Sequence, residues 1–310
     1  MKNIEPLNQV KLFGLNNFLN ELIDLFKNDR LPNKILLSGQ KGLGKSTLAY
    51  HFINFVLSKD EEYSYNIEKN EINPNNRSFK TILNKSNPNF ILIDINIEKK
   101  FIDINQIRDL ISNLSKSSFN IKPRFVLIDN IECLNANSVN ALLKILEEPS
   151  ANVNFILINN NKKILSTLTS RCLNFKISLT NKKNLEIANK LLDKELFEII
   201  NRDLVNYYST PGNLYNLAQF GFLNKLDLSK LDLKDFLKIF IDNNYYKKDN
   251  LIKNNIFDFI EFYFAKVNLT LSPKIYQKYN YYIKRISDTK RFNLDEESLF
   301  IEFKNEMLNE

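Results

Sequence analysis

Residues 34–49 read Lys34-Ile35-Leu36-Leu37-Ser38-Gly39-Gln40-Lys41-Gly42-Leu43-Gly44-Lys45-Ser46-Thr47-Leu48-Ala49. A short apolar run enters a glycine-rich turn, and the apolar positions Leu48, Ala49, Phe52 and Phe55 then continue at helical spacing. The turn matches G-x-x-x-x-G-K-[ST] in the strand–loop–helix context that this motif requires. Its glycines let consecutive backbone N–H groups curl around phosphate oxygens, and the helix N-terminus adds partial positive charge. Gly39, Gly42, Gly44, Lys45, Ser46 and Thr47 are therefore the expected nucleotide-binding residues. Lys45 is expected to reach the β- and γ-phosphates, and the Ser46 hydroxyl to ligate Mg²⁺. The chain holds only six glycines, three of them in this one turn. A sequence poor in glycine has kept it where backbone must approach a ligand closely.

Working outward, strand-like apolar runs recur at 89–95, 124–129, 154–159 and 173–177. Helical patterns separate most of them, including 103–114 with Ile104, Ile107, Leu110, Ile111 and Leu114 on one side. Buried, non-alternating strands between amphipathic helices predict a parallel sheet with helices on both faces. The run Arg124-Phe125-Val126-Leu127-Ile128-Asp129 ends in an acid, the place for a carboxylate that holds Mg²⁺ behind a phosphate loop. In 138–149, Val139, Leu142, Leu143 and Leu146 make one helical face, and Pro149 stops the helix.

The stretch Asn140-Ala141-Leu142-Leu143-Lys144-Ile145-Leu146-Glu147-Glu148-Pro149 is followed some twenty residues later by Ser170-Arg171-Cys172. Taken in order with the phosphate loop and the intervening strand, these motifs resemble the bacterial clamp-loader AAA+ proteins of DNA polymerase III. The resemblance covers residues 1–178 and fades beyond. It implies an AAA+ parallel-sheet domain over 1–178, a small helical lid over 179–224 and an all-α collar over 225–310. It also implies that Arg171 is an arginine finger, offered in trans to a neighbouring subunit's ATP site. A guanidinium suits that role because it is planar, permanently charged and fork-shaped.

Two kinds of subunit share this architecture, and departures from the motor (gamma/tau) pattern distinguish them. The motor carries an acidic pair where this chain has Asp129-Asn130, and an amide cannot take up a proton from an attacking water. The motor also carries a cysteine zinc module between the first helix and second strand, whereas residues 58–88 contain no cysteine, so no zinc site is expected. Around Ser209-Thr210-Pro211-Gly212-Asn213-Leu214, Asn213 stands where a sensor-2 arginine can sit. The Asn159-Asn160-Asn161 end of the fourth strand could supply the sensor-1 polar group, with Asn159 as the candidate residue. The resemblance thus favours a delta-prime-like subunit in a hetero-pentamer, with motor and delta subunits as neighbours and the sliding clamp and primed DNA reached through the complex. ATP or ADP with Mg²⁺ is expected to bind, with weak or absent hydrolysis. The alternative is an active gamma/tau-like motor. A stand-alone P-loop ATPase or kinase is the weaker third reading, opposed by the Ser-Arg-Cys motif.

After residue 177 the pattern turns helical. The runs 185–200 and 214–223 fit the lid, with a break at Pro211-Gly212, and from about 226 onward Phe and Tyr dominate. Lysines and arginines interleave with Tyr276, Tyr279, Tyr281 and Tyr282, which fits a helix with a tyrosine-lined core face and a wet basic face better than a nucleic-acid surface. The segment 61–76 reads as a polar, looped insertion.

Composition narrows the remaining classes. At 310 residues with 44% hydrophobic and 25% charged positions, the chain has the make-up of a globular protein. No apolar run reaches the roughly 20 residues of a membrane span, and the first thirty residues carry no secretory signal, so a cytoplasmic protein without a membrane partner is expected. With two cysteines and one histidine, disulfide frameworks and the usual metal and Ser-His sets are excluded. Cys133, Cys172 and His51 read as structural. The formal charge of +7 comes with 35 lysines, 8 arginines and 48 asparagines, a composition that an AT-rich genome also produces.

Overall fold

The computed structural model describes residues 4–96, 99, 101–116, 119–147, 152–248, 252, 255–267, 273–292 and 294–309. The chain divides into two compact units, the first running to Lys183 and the second from Asn184 onward.

The first unit is built in chain order from α1 (Asn16–Lys27), β1 (Lys34–Ser38), α2 (Lys45–Leu57), α3 (Arg77–Leu83), β2 (Phe90–Ile93), α4 (Ile104–Leu114), β3 (Arg124–Ile128), α5 (Ala136–Glu147), β4 (Val153–Asn159), α6 (Ser166–Thr169) and β5 (Leu173–Lys176). Five parallel strands lie in the order β2-β3-β4-β1-β5, so the strand feeding the phosphate loop sits between β4 and β5. Successive strand residues serve opposite faces. Ile35, Leu37, Phe125, Leu127, Ile156 and Ile158 pack with α1 and α2. Leu36, Val126, Ile128, Phe155 and Leu157 pack with α4 and α5. Both faces are covered, which is why the strands read as continuous apolar runs.

Local chemistry sets the helix ends. Asp103 caps α4 in a reciprocal capping box with Gln106. Asn76 caps α3 by accepting from the Phe79 N–H at 2.8 Å. Pro149, expected to stop α5, lies outside the described residues. The segment 61–76 is looped, as expected, yet it is pinned rather than loose. Tyr65 and Asn76 are buried, and His51 bonds Tyr65 Oη at 2.8 Å and the Gln9 carbonyl at 3.0 Å.

The second unit is helical: α7 (Asn181–Leu192) crosses into it, followed by α8 (Leu196–Ile199), α9 (Pro211–Leu223), α10 (Leu233–Asp242), α11 (Tyr245–Lys248), α12 (Ile256–Val267), α13 (Pro273–Phe292) and α14 (Glu296–Phe303). The helical run expected over 185–200 is made of two helices, parted where Asp193 adopts a positive φ of 53° after α7. Pro211 opens α9 in place of merely breaking the chain, with Thr210 as its N-cap. The lid and collar expected as 179–224 and 225–310 share one core that runs from Ala188 to Leu308. Among the described residues, no helix is long and apolar enough to cross a membrane.

Candidate nucleotide site

The glycines of the phosphate loop are held to conformations that side chains resist. Gly42 and Gly44 both have φ of 88°, and Gly44 is the residue from which α2 starts. Gly39 has φ of 153°, and a Cβ there would lie 2.3 Å from the Ile177 carbonyl oxygen. Its N–H donates to the Asn159 carbonyl at 3.2 Å, tying the start of the loop to the end of β4. The loop is thus fixed by its neighbours before any ligand arrives.

Lys45 is 3% exposed, and its ammonium donates to the Gly39 and Gln40 carbonyls at 2.8 and 2.6 Å. Burial lowers its pKa to about 8, with the carboxylates of Asp129 and Glu132 opposing the shift. A buried cation resting on backbone carbonyls of its own loop is a group waiting for an anion. Ser46 Oγ donates to Asp129 Oδ2 at 2.5 Å, so the structure brings the hydroxyl and the strand-end acid together. Burial raises the Asp129 pKa, and the hydrogen bond from Ser46 works against that rise. Thr47 follows in the first turn of α2. The cradle of positive-φ glycines, the sealed Lys45 and the Ser46–Asp129 pair fit a nucleotide polyphosphate with Mg²⁺. When bound, the ion would neutralise phosphate charge, with Ser46 and Asp129 on its side of the site.

Asn130 follows Asp129 in the left-handed region, at φ 55°, and donates its backbone N–H to Asp129 Oδ1 at 2.8 Å. Its amide is engaged at both ends. Nδ2 donates to Asp94 Oδ1 at 2.7 Å, and Oδ1 accepts from Asn160 Nδ2 at 2.8 Å. The Asn160 backbone N–H in turn donates to Glu132 Oε2 at 3.2 Å. Asn159, the expected sensor-1 residue, spends its side chain on its own turn. It donates to the Lys162 carbonyl at 2.9 Å and accepts from the Lys162 N–H at 3.2 Å. The structure therefore brings Asn160, not the Asn159 side chain, to the Asp129–Asn130 corner. Asp94 and Glu132 escaped the sequence reading, whereas Asn160 belongs to the 159–161 strand end from which a sensor-1 group was expected. The one usable signal was that Asp94 ends its apolar run as Asp129 ends the next.

Arg171 stands apart from this loop, just after α6. Its guanidinium pairs with Glu147 at 2.6 Å and donates to the Thr167 carbonyl at 2.8 Å. Cys172 beside it packs against the apolar core on the α4–α5 face of the sheet, and burial pushes its thiol up to about 11. Burial likewise raises the Cys133 thiol. His51 is fully buried, and that burial lowers its pKa to about 4. Asn213 lies in the second unit, where its N–H donates to the capping Thr210 hydroxyl at 3.4 Å. Among the described residues, no three His, Cys, Asp or Glu side chains cluster as metal ligands.

The family described as DNA polymerase III, delta subunit, matches residues 14–181, more than half the chain. The chain belongs to the clamp-loader AAA+ family. Over 248 residues, 77% of the chain, it is 28% identical to the DNA polymerase III gamma/tau subunit of Mycoplasma genitalium, covering 40% of that protein. Over 148 residues, 46% of the chain, it is 30% identical to the delta-prime subunit of Buchnera aphidicola subsp. Baizongia pistaciae, covering 42% of that protein. This clamp-loader chain thus spans less than half the length of those curated relatives. A gamma subunit-related protein of Thermotoga maritima superposes with a TM-score of 0.51 at 16% identity, covering 94% of this chain and 98% of that one, which shows the shared fold.

Proposed function

We propose that this chain acts as a delta-prime-like subunit of the DNA polymerase III clamp loader, assisting ATP-driven placement of the sliding clamp on primed DNA. Its partners in that role are motor and delta subunits. The observation that carries the reading is Asn130: its amide is hydrogen-bonded on both sides and offers no carboxylate to an attacking water. A group that accepts a proton typically contributes about 10²–10⁴ to such a step, so a site lacking one holds nucleotide far longer than it cleaves it. Lys45, Ser46 and Asp129 bind ATP or ADP with Mg²⁺, and the bound nucleotide serves as a structural ligand.

Arg171 takes the active part. On docking beside a motor subunit, its guanidinium leaves Glu147 for the neighbour's γ-phosphate and stabilises the charge that develops there. The intact loop and the Ser46–Asp129 pair support a second reading, a gamma/tau-like motor that hydrolyses its own ATP.

ATP turnover by the reconstituted loader, with clamp and primed DNA, separates the two. Arg171→Ala is expected to lower turnover by about 10³ at the neighbouring site, by analogy with fingers supplied in trans. Lys45→Ala is expected to leave turnover near normal. The opposite pattern, with Lys45→Ala damaging and Arg171→Ala harmless, makes the chain a motor and removes the role given to Arg171.

A further inference from the structure

The looped 61–76 segment is joined to the phosphate loop through the chain that precedes α1. Its turn is closed by reciprocal backbone bonds between Asn66 and Glu71, at 2.9 and 3.1 Å. Residues 70–72 then pair with a strap formed by residues 9–15. The Ile72 N–H donates to the Val10 carbonyl at 2.8 Å, and the Leu12 N–H donates to the Asn70 carbonyl at 3.1 Å. Lys11 and Glu71 add an ion pair at 2.8 Å across the same pairing. On α2 and its C-terminal end the segment is pinned by polar groups. Asn54 and Asn76 exchange amide bonds at 3.2 and 3.3 Å, and the Tyr65 N–H donates to Ser58 Oγ at 3.1 Å. His51 closes the circuit. A carbonyl only accepts, so the bond to Gln9 puts the proton of the buried ring on Nε2, and Nδ1 accepts from the Tyr65 hydroxyl. Tyr65, His51 and Gln9 thus form one directed chain of hydrogen bonds from the segment, through α2, to the strap.

The far end of the strap reaches the ligand site. Leu15 is 1% exposed, and its Cδ1 lies 3.4 Å from where a Cβ on Gly44 would stand. It therefore packs against the glycine that starts α2 at a φ of 88°. Leu12 and Leu15 share one core with Leu43 and Leu48, which lie on either side of that glycine in the sequence.

We propose that the 61–76 segment is a clip for the strap, and that His51 and Tyr65 are positioning residues which, by keeping Leu15 seated on Gly44, set how tightly the phosphate loop holds nucleotide. The proposal rests on the reading of this loop as a nucleotide site. A glycine has no side chain to hold its own conformation, so its left-handed state depends on what packs against it. When the clip opens, the strap lifts and the loop samples shapes that cannot cup a phosphate. The apparent affinity then falls with the fraction of chains still seated. The coupling is reciprocal: a polyphosphate that binds only the seated loop draws the strap and the clip closed.

The test uses the full chain, MgADP as the probe and four proteins: wild type, H51F, H51Q and S138A. Phenylalanine keeps a ring at position 51 and loses both bonds, whereas glutamine keeps an amide donor for the Gln9 carbonyl. Ser138 is the control. It is as fully buried as His51 and donates to the Ile102 carbonyl at 3.1 Å, but it belongs to α5, on the other face of the sheet. By calorimetry, H51F is expected to bind MgADP about tenfold more weakly than wild type, and H51Q to stay within about twofold of it. S138A is expected to lose thermal stability and keep its affinity. By hydrogen exchange, MgADP is expected to slow the Leu12, Tyr65 and Ile72 amides of the wild type about tenfold, and those of H51F far less.

The proposal is overturned if H51F binds MgADP as wild type does, or if H51Q loses as much as H51F. It is equally overturned if S138A weakens binding as H51F does, since general loosening of the unit then explains the loss. Should H51F not fold, the wild-type exchange comparison decides: amides at 12, 65 and 72 that ignore MgADP overturn the proposal without any variant. A wild type that binds no MgADP fails the nucleotide-site reading and this proposal together, whereas every other failure leaves that reading standing.

Discussion

The two compact units solve the problem of burial in opposite ways. The first buries Lys45, His51, Asn54, Asn76, Ser138 and Asn159 among its apolar residues. Four of these, His51, Asn54, Asn76 and Ser138, have hydrogen-bond partners from distant parts of the chain, such as Asn54 with Asn76 at 3.2 Å and Ser138 with the Ile102 carbonyl at 3.1 Å. The second buries few polar groups and is held by rings: Phe220, Phe236, Phe240, Phe264, Tyr282, Phe300 and Phe303 are all under 2% exposed. Buried polar groups cost free energy unless paired with correct geometry, so they specify one arrangement closely. Aromatic area supplies stability with looser demands on angle. The precise unit is the one that carries the phosphate loop and Arg171, and the aromatic unit gives bulk stability.

That contrast can be broken most directly at Phe264. It is fully buried, stacks on Tyr282 with centroids 5.6 Å apart, and meets Tyr263, Tyr279 and Phe303 within 6.0 Å. Phe264→Ala is expected to destabilise the helical unit by about 3–5 kcal/mol, the transfer loss plus a cavity. Urea denaturation followed by tyrosine fluorescence reads the loss. MgATP affinity, measured well below the transition, is expected to stay unchanged. A parallel loss of affinity would mean that the aromatic unit also sets the geometry of the phosphate loop, and the division of labour would fall.

A second, slightly smaller effect sharpens the polar side of the comparison. His51 joins α2 to the 61–76 segment and to Gln9, and burial holds its pKa near 4, below the ordinary 6.5. Between those values the unfolded chain binds a proton that the folded protein refuses, so stability falls as pH drops from 6.5 toward 4. The loss over that window is about 3 kcal/mol, an order-of-magnitude figure at 1.36 kcal/mol per unit. His51→Gln retains an amide donor for the Gln9 carbonyl and removes the titration. Its stability is expected to fall less than that of wild type between pH 7 and pH 4.5 in urea titrations. Equal slopes for the two proteins would show that His51 is not the acid-sensitive joint of the first unit.

What the sequence made legible follows the same divide. The phosphate loop could be read because its motif is compressed into eight consecutive residues, 39–46, and the sheet because burial on both faces leaves continuous apolar runs. The Ser46–Asp129 meeting was legible for a related reason: a strand-end acid behind such a loop has few other places to go. The Asp94–Asn130–Asn160 corner was not. Its members are 36 and 30 residues apart and meet only because β2, β3 and β4 end side by side, which no local pattern encodes. Asn159 drew attention as the last strand residue, but the turn after it curls its side chain back to Lys162, leaving the next asparagine to face the site. In the helical unit, the periodicity over 185–200 continues across the break between α7 and α8. Spacing registers which positions are apolar and does not register the positive φ at Asp193.

The smallest expected effect concerns the contact that holds Arg171. Glu147 is about half exposed, and ion pairs of that kind contribute roughly 1 kcal/mol or less, a factor of about five at most in an equilibrium. Glu147→Gln should therefore leave the stability of the first unit within about 0.5 kcal/mol of wild type. Its effect on the loader has a definite sign if Arg171 is offered to a neighbour. Glu147 then competes with the γ-phosphate for one guanidinium, and removing its charge raises turnover by up to about fivefold at low salt, with the gain shrinking as salt screens the pair. A fall in turnover approaching that of Arg171→Ala would reverse the argument: Glu147 would be aiming the arginine, and the exposed corner would be as closely specified as the buried one beside the phosphate loop.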